Sequence, residues 1–107
     1  MPTYVELTQV RSSPQTLSLL KALSQTSTVW HYGYGLSQIT GLKSGTLYPI
    51  LARLHDSGWL ETEWEPSIEP GRPPRHLYRL TALGRTEAKK MIAESGRGRR
   101  ARLAYET

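Results

Sequence analysis

The chain contains no cysteine. That absence excludes disulfide frameworks, thiolate metal sites and cysteine nucleophiles together, and it fits a reducing compartment. No apolar run approaches the roughly 20 residues needed to cross a bilayer. Residues 1–11 lack the basic segment and apolar stretch of a secretory signal, so a soluble, cytoplasmic protein is expected, with no membrane partner. His31, His55 and His76 have no metal-ligand spacing, and without a cysteine beside them no zinc site is expected. A Ser/His/Asp set, a pair of pocketed acids and a phosphate-cradling glycine loop are all missing; Gly33-Tyr34-Gly35 is too short to count as one. Neither an enzyme nor a cofactor is expected.

Acidic residues are also scarce. The 107 residues carry 14 Lys plus Arg against 9 Asp plus Glu, a net charge of +5 that favours a polyanionic partner. The excess is uneven, because Arg97, Arg99, Arg100 and Arg102 stand against Glu106 alone in the last twelve residues. More than half of the net charge therefore belongs to the tail. The length allows one domain with tails, and a hydrophobic content of 37% is low for a globular protein but sufficient for a modest core.

The pattern along the chain gives the architecture. Ser13-Pro14 reads as an N-cap followed by proline at the first helical position, opening a helix to about Gln25 with Leu17, Leu20 and Leu23 on one stripe and Leu19 widening it. Thr28-Val29-Trp30 is a short β-prone run. A short helix from about Tyr34 to Thr40 should stop at Gly41. Leu47, Ile50, Leu51 and Leu54 then share one helical face, with Ser44 as the expected N-cap and Ser57-Gly58 as the stop. Leu60, Thr62 and Trp64 alternate with Glu61, Glu63 and Glu65 as a half-buried strand would. Residues 66–74, rich in proline, form a loop, and His76, Tyr78 and Leu80 mark a second strand that closes a hairpin. A last helix begins at Thr81, with Leu83, Ala88, Met91 and Ile92 as apolar contacts, and is expected to end near Ser95, where Gly96 and Gly98 interrupt it. The expected fold is mainly α with a small β-hairpin: an extension over residues 1–13, a winged helix-turn-helix domain over 14–81, a C-terminal helix over 82–95 and a basic tail over 96–107, read as a flexible cationic arm, with a solvated tail or a helix re-formed over Arg99–Tyr105 against a second subunit as the alternatives.

Two helices joined by the short turn around Gly41-Leu42-Lys43 form a helix-turn-helix, whose second helix can lie in the DNA major groove, and the hairpin behind it supplies a wing. The residues at these positions carry a specific resemblance. Tyr34-Gly35-Leu36, Ser44-Gly45-Thr46-Leu47-Tyr48-Pro49, Leu51, Arg53-Leu54, Ser57-Gly58, Glu63-Trp64, Gly71-Arg72-Pro73-Pro74-Arg75, Tyr78-Arg79-Leu80-Thr81 and Gly84 resemble the PadR family of bacterial transcriptional regulators, in family order. The resemblance implies a dimeric winged-helix repressor, often relieved by a small-molecule effector, whose last helix makes the dimer.

With the leucine face inward, Gly45, Pro49, Ala52, Arg53 and Asp56 point outward and Thr46 and Tyr48 lie on the flanks. The helix N-terminus offers free N–H groups and a positive partial charge to a phosphate, where Lys43 and Ser44 stand. Gly45 permits close backbone approach, and Thr46 and Tyr48 bring hydroxyls. Arg53 can form a bidentate guanine contact or clamp a phosphate. Pro49 stiffens the turn entering the groove and offers an apolar edge to a thymine methyl. Arg72 and Arg75 bracket Pro73-Pro74, whose fixed φ holds the loop extended toward phosphates or the minor groove. Bland roles remain open at this point: Tyr48 packed under the wing, Arg53 solvated or paired within the chain, for example with Asp56 or Glu87, Pro49 as a tolerated bend and the wing as a solvated loop. The four glutamates of the hairpin, Glu61, Glu63, Glu65 and Glu69, are expected on its solvent side. Trp30, Trp59 and Trp64 are expected to pack in the core, the alternative being a ligand pocket between subunits, which aromatics line in some members of the family the chain resembles.

The reading that follows is sequence-specific binding of double-stranded DNA by a homodimeric transcriptional repressor, through Lys43, Ser44, Gly45, Thr46, Tyr48, Pro49, Arg53, Arg72 and Arg75. The alternative is a winged helix used as a protein interaction module, with the basic loop meeting an acidic partner.

Overall fold

Ser13 and Pro14 open the first helix as their chemistry dictates. Ser13 is extended (φ −66°, ψ 158°), its Oγ accepts the Thr16 N–H at 3.1 Å, and proline occupies the first turn, where its missing N–H costs no helical bond. In the computed structural model, which describes residues 10–106 and the side chains of residues 10–96, this is α1 (Pro14–Gln25). Its fully buried leucines are Leu19, Leu20 and Leu23; Leu17 is only half-buried, so the stripe is centred on Leu19 and Leu20. The expected extension over residues 1–13 falls mostly outside the described residues.

The chain continues through β1 (His31–Tyr32), α2 (Gly33–Thr40), α3 (Ser44–Asp56), β2 (Leu60–Glu65), β3 (Arg75–Leu80) and α4 (Ala82–Glu106). The three strands form one antiparallel sheet in the order β1-β3-β2. The hairpin is therefore part of a three-stranded sheet. The first strand lies later than the Thr28–Trp30 run suggested, since a turn closed by Val29 N–H to Thr26 C=O (3.1 Å) uses those residues and only His31 and Tyr32 reach partners, Tyr78 and Leu77, on β3. Pairing with a distant strand, rather than local β-propensity, sets its position.

The turn between α2 and α3 is fixed by its own bonds. Gly41 adopts φ +74° and its N–H donates to Ser37 C=O at 2.8 Å, while Ser37 Oγ donates to Leu42 C=O at 2.7 Å. A left-handed residue here favours glycine. The N-cap of α3 is Lys43, not Ser44. Lys43 is extended and its C=O accepts the Leu47 N–H at 2.8 Å, so the helix starts one residue earlier than expected and no side chain caps it.

Leu19, Leu20, Leu23, Leu36, Leu47, Leu51, Leu54, Leu60, Tyr78, Leu80 and Ala88 form one core, with Ile50, Trp59, Met91 and Ile92 packed at its margin. At the start of α4, the Thr81 N–H donates to Trp59 C=O (2.9 Å), Thr81 Oγ1 donates to Gly58 C=O (2.7 Å), and the Gly84 N–H returns to Thr81 Oγ1 (3.0 Å). These bonds dock the helix on the turn that enters β2. The expected stop near Ser95 does not occur: α4 runs for 25 residues through Gly96 and Gly98 to Glu106. Two glycines lower helical stability by about 1 kcal/mol each relative to alanine but do not forbid the helix, and the arginines, alanines and leucine around them are good helix formers. The flexible arm expected over 96–107 is thus helical in its backbone up to Glu106.

The tryptophans divide. Trp59 packs on the core margin. Trp30 is half-buried with the Arg79 guanidinium 4.2 Å over its ring, and Trp64 is 61% exposed, which corrects the expectation that it packs in the core. Leu60, Thr62 and Trp64 do share a face of β2, but burial fades along it because the strand runs outward past the core.

Candidate nucleic-acid interface

Helix α3 divides cleanly. Leu47, Leu51 and Leu54 are buried, while Lys43, Ser44, Gly45, Thr46, Tyr48, Pro49, Ala52 and Arg53 are all exposed. The outward set is contiguous and begins at a helix N-terminus that no side chain caps, so the first amides remain free for an acceptor. Pro49 stands in the sixth position of the helix, where it lacks the N–H that would reach the Gly45 carbonyl.

Arg53 makes no ion pair among the described residues. Of the two carboxylates named as examples of a partner within the chain, Asp56 lies 3.7 Å from His55 Nδ1 and Glu87 lies 3.5 Å from Lys90 Nζ. Tyr48 packs on α2 while keeping an exposed edge. Its hydroxyl packs so tightly on the first turn of α2 that a Cβ at Gly33 would lie 2.5 Å from it, yet 45% of the residue is exposed.

Beside Tyr48 runs a row of rings on the wing. Trp64 and His76 are cross-strand partners stacked at 4.3 Å with 4° between their planes, and His76 and Tyr78 lie 4.7 Å apart. The Tyr78 hydroxyl and His76 Nδ1 share a 3.1 Å hydrogen bond whose direction follows the imidazole tautomer. Burial, with a smaller contribution from the Tyr48 phenol, pushes the Tyr78 hydroxyl above its ordinary pKa of 10.0.

Between the start of α2, Tyr48 and the wing lies an open cleft of about 470 Å³, lined by Tyr32, Gly33, Tyr34, Gly35, Tyr48, Arg75 and His76. Arg75 and Tyr48, which are 27 positions apart in sequence, thus border one space. Arg72 stands apart from it on the wing loop, where Nε pairs with Glu69 at 3.6 Å; both side chains are well exposed, so the pair contributes little. Ile68 on the same loop is 98% exposed. Glu61 and Glu65 belong to the sheet face opposite the rings: Glu61 accepts from Arg79 Nε at 2.6 Å, and Glu65 accepts from the Tyr32 hydroxyl.

The arrangement joins an uncapped helix N-terminus, a polar outward face and an arginine-bearing wing. The sequence model of the PadR-like family of transcriptional regulators matches residues 17–90, from α1 into α4 and across all of these parts. The chain belongs to the PadR-like family. Solved structures agree. A PadR family transcriptional regulator from Eggerthella lenta is 30% identical, with 73% of this chain and 70% of that chain covered and a TM-score of 0.63. A PadR-like transcription factor from Bacteroides fragilis is 25% identical over 92% of this chain and 95% of that one, with a TM-score of 0.73. A PadR family regulator from Clostridium difficile, at 18% identity, shares the fold over 89% of this chain and all of its own, with a TM-score of 0.74. No curated protein matches the sequence.

Membership of the PadR-like family makes this a protein of DNA-binding transcriptional regulation. Among the described residues, no helix is long and apolar enough to cross a membrane. Reading the sequence missed Tyr32 and His76 as neighbours of the interface. The His76, Tyr78, Leu80 alternation placed His76 on the same face as Tyr78, but its stacking on Trp64 depends on the strand register, which no local signal carries.

Proposed function

We propose that this PadR-like chain is a cytoplasmic repressor that binds a specific duplex site as a homodimer. In each subunit the N-terminal half of α3 enters a major groove, with Thr46, Tyr48, Pro49 and Arg53 toward base edges and Lys43, Ser44 and Gly45 toward the backbone, while Arg72 and Arg75 on the wing meet phosphates. The observation that carries this reading is the exposed, uncapped and polar face of α3 over a fully buried leucine face, with Tyr48 on it sharing a cleft with the wing residue Arg75. Arg53, without an ion pair among the described residues, supports a base-contacting role. The dimer is supported by α4: Ala88, Met91 and Ile92 pack against the core, yet the helix continues to Glu106. A small molecule that relieves repression follows from the family alone.

Fluorescence anisotropy with mixed-sequence duplex DNA, titrated between about 50 and 200 mM salt, tests the reading. Neutralising three phosphates per subunit through Lys43, Arg72 and Arg75 gives a dimer a log–log slope near −5.4, roughly a two-thousandfold loss of affinity over that range. Affinity that does not respond to salt contradicts the reading.

A further inference from the structure

Two cross-strand Glu/Arg pairs stand on one face of the sheet, Glu61 opposite Arg79 and Glu65 opposite Arg75. Each arginine lies over an aromatic ring from the segment that enters α2: Arg79 is 4.2 Å from the Trp30 centroid and Arg75 is 5.2 Å from that of Tyr32. With glutamate, arginine and aromatic ring common to both, the two sets serve as each other's control. Their ion pairing differs. Arg79 donates its Nε to Glu61 at 2.6 Å, whereas Arg75 makes no ion pair among the described residues. Glu65 turns instead to Tyr32, whose hydroxyl lies 3.0 Å and 2.9 Å from its two carboxylate oxygens. Trp30 offers Glu61 no such hydroxyl.

We propose that the Tyr32 hydroxyl keeps Glu65 out of ion-pair distance of Arg75, leaving the Arg75 guanidinium without a carboxylate partner at the edge of the cleft, where it takes one backbone phosphate of the DNA. Tyr32 is thereby a positioning residue, and the inference rests on the DNA reading above. Directly opposed side chains in an antiparallel ladder are close enough to pair, so without the hydroxyl Glu65 is the nearest competitor for Arg75. A phosphate would then have to displace a carboxylate already in place. The Tyr32 hydroxyl keeps its proton at neutral pH, since its bond to Glu65 pushes its pKa above 10.0, while a weaker hydrogen bond and charge from Arg75 pull the other way. The open cleft is bordered by Tyr32, by Tyr48 from the exposed face of α3 and by Arg75.

The test compares salt slopes on mixed-sequence duplex DNA for Arg75→Ala, Tyr32→Phe, Glu65→Gln and Tyr32→Phe/Glu65→Gln. Arg75→Ala should make the slope shallower by about 0.9 per subunit, a difference of about 3.5-fold per subunit in the affinity lost between 50 and 200 mM salt. Tyr32→Phe keeps the ring under Arg75 and should make the slope shallower by up to the same amount. Adding Glu65→Gln should restore it, with a larger effect in the Tyr32→Phe background than alone. A merely structural loosening of the wing would not be rescued by removing a carboxylate, and thermal melts of each variant report such loosening separately. If Arg75→Ala lowers the slope and Tyr32→Phe does not, or if Glu65→Gln fails to rescue, the positioning role is overturned while the wing–phosphate contact stands. If Arg75→Ala leaves the slope unchanged, the contact itself is wrong and the proposal falls with it.

Discussion

Replacing Gly84 by alanine should destabilise the protein even though alanine is the better helix former. Gly84 is the third residue of α4, and a Cβ built on it would lie 2.0 Å from the Trp59 carbonyl oxygen and 2.8 Å from the carbonyl carbon. Those are backbone atoms at the entrance to β2 and cannot rotate away as a side chain would. Restoring even a 3.0 Å contact requires the helix to retreat by about 1 Å, which strains or breaks the Thr81 N–H to Trp59 C=O bond that docks it (2.9 Å). Overpacking of this kind costs up to about 3 kcal/mol, and the loss of one or two hydrogen bonds adds about 1 kcal/mol each. Against this stands a gain of up to about 1 kcal/mol from helix propensity. The net loss of about 3 kcal/mol should lower Tm by roughly 12 °C or more, read by circular dichroism melting. Gly96 in the same helix is the control: it has open space around its would-be Cβ, so Gly96→Ala should raise stability by up to about 1 kcal/mol. A Gly84→Ala variant that melts at or above the parent temperature would refute the docking geometry.

Leu51→Ala removes a fully buried side chain and should cost about 2–5 kcal/mol of stability, whereas Arg53→Ala, two residues along on the exposed face, should leave the melt within about 0.5 kcal/mol and lower specific DNA affinity by about 1–3 kcal/mol; melts and anisotropy separate the two. Arg72→Ala should weaken binding to specific and mixed-sequence DNA by similar factors, because a phosphate contact positions without reading sequence; a loss of discrimination in competition binding would place Arg72 in a groove. The raised pKa of Tyr78 makes the folded state hold its proton longer than the unfolded chain, so the stability it contributes is complete below about pH 10 and lost as pH rises through the folded value. Denaturant titrations in that alkaline window should show stability falling more steeply for the parent than for Tyr78→Phe.

What was legible in the sequence was what local chemistry determines. The Ser13-Pro14 start, the Gly41 stop and the Leu47, Leu51, Leu54 face depend on residues within one or two turns, and each is where the pattern placed it. The features that escaped depend on partners far along the chain. The position of β1 is set by Tyr78 and Leu77 on β3, and the exposure of Trp64 by how far β2 outruns the core. Helix α4 runs past Gly96 and Gly98, where glycine as a breaker would end it, because a cost of about 1 kcal/mol at each is small beside the summed propensities of the residues around them. In the candidate interface, the outward face of α3 was readable from its period. The Tyr32–Glu65 bond spans 33 positions and becomes visible only once the strands are in register.

Selection of bound sites from a random duplex pool, followed by hydroxyl-radical footprinting on the winning sequence, tests the central claim most directly. A homodimer that places α3 of each subunit in a major groove should enrich an inverted repeat whose half-sites are centred about one helical turn, roughly 34 Å, apart, with protection on one face of the duplex. Enrichment of no common sequence, or of a single unrepeated half-site bound by one subunit, would contradict it.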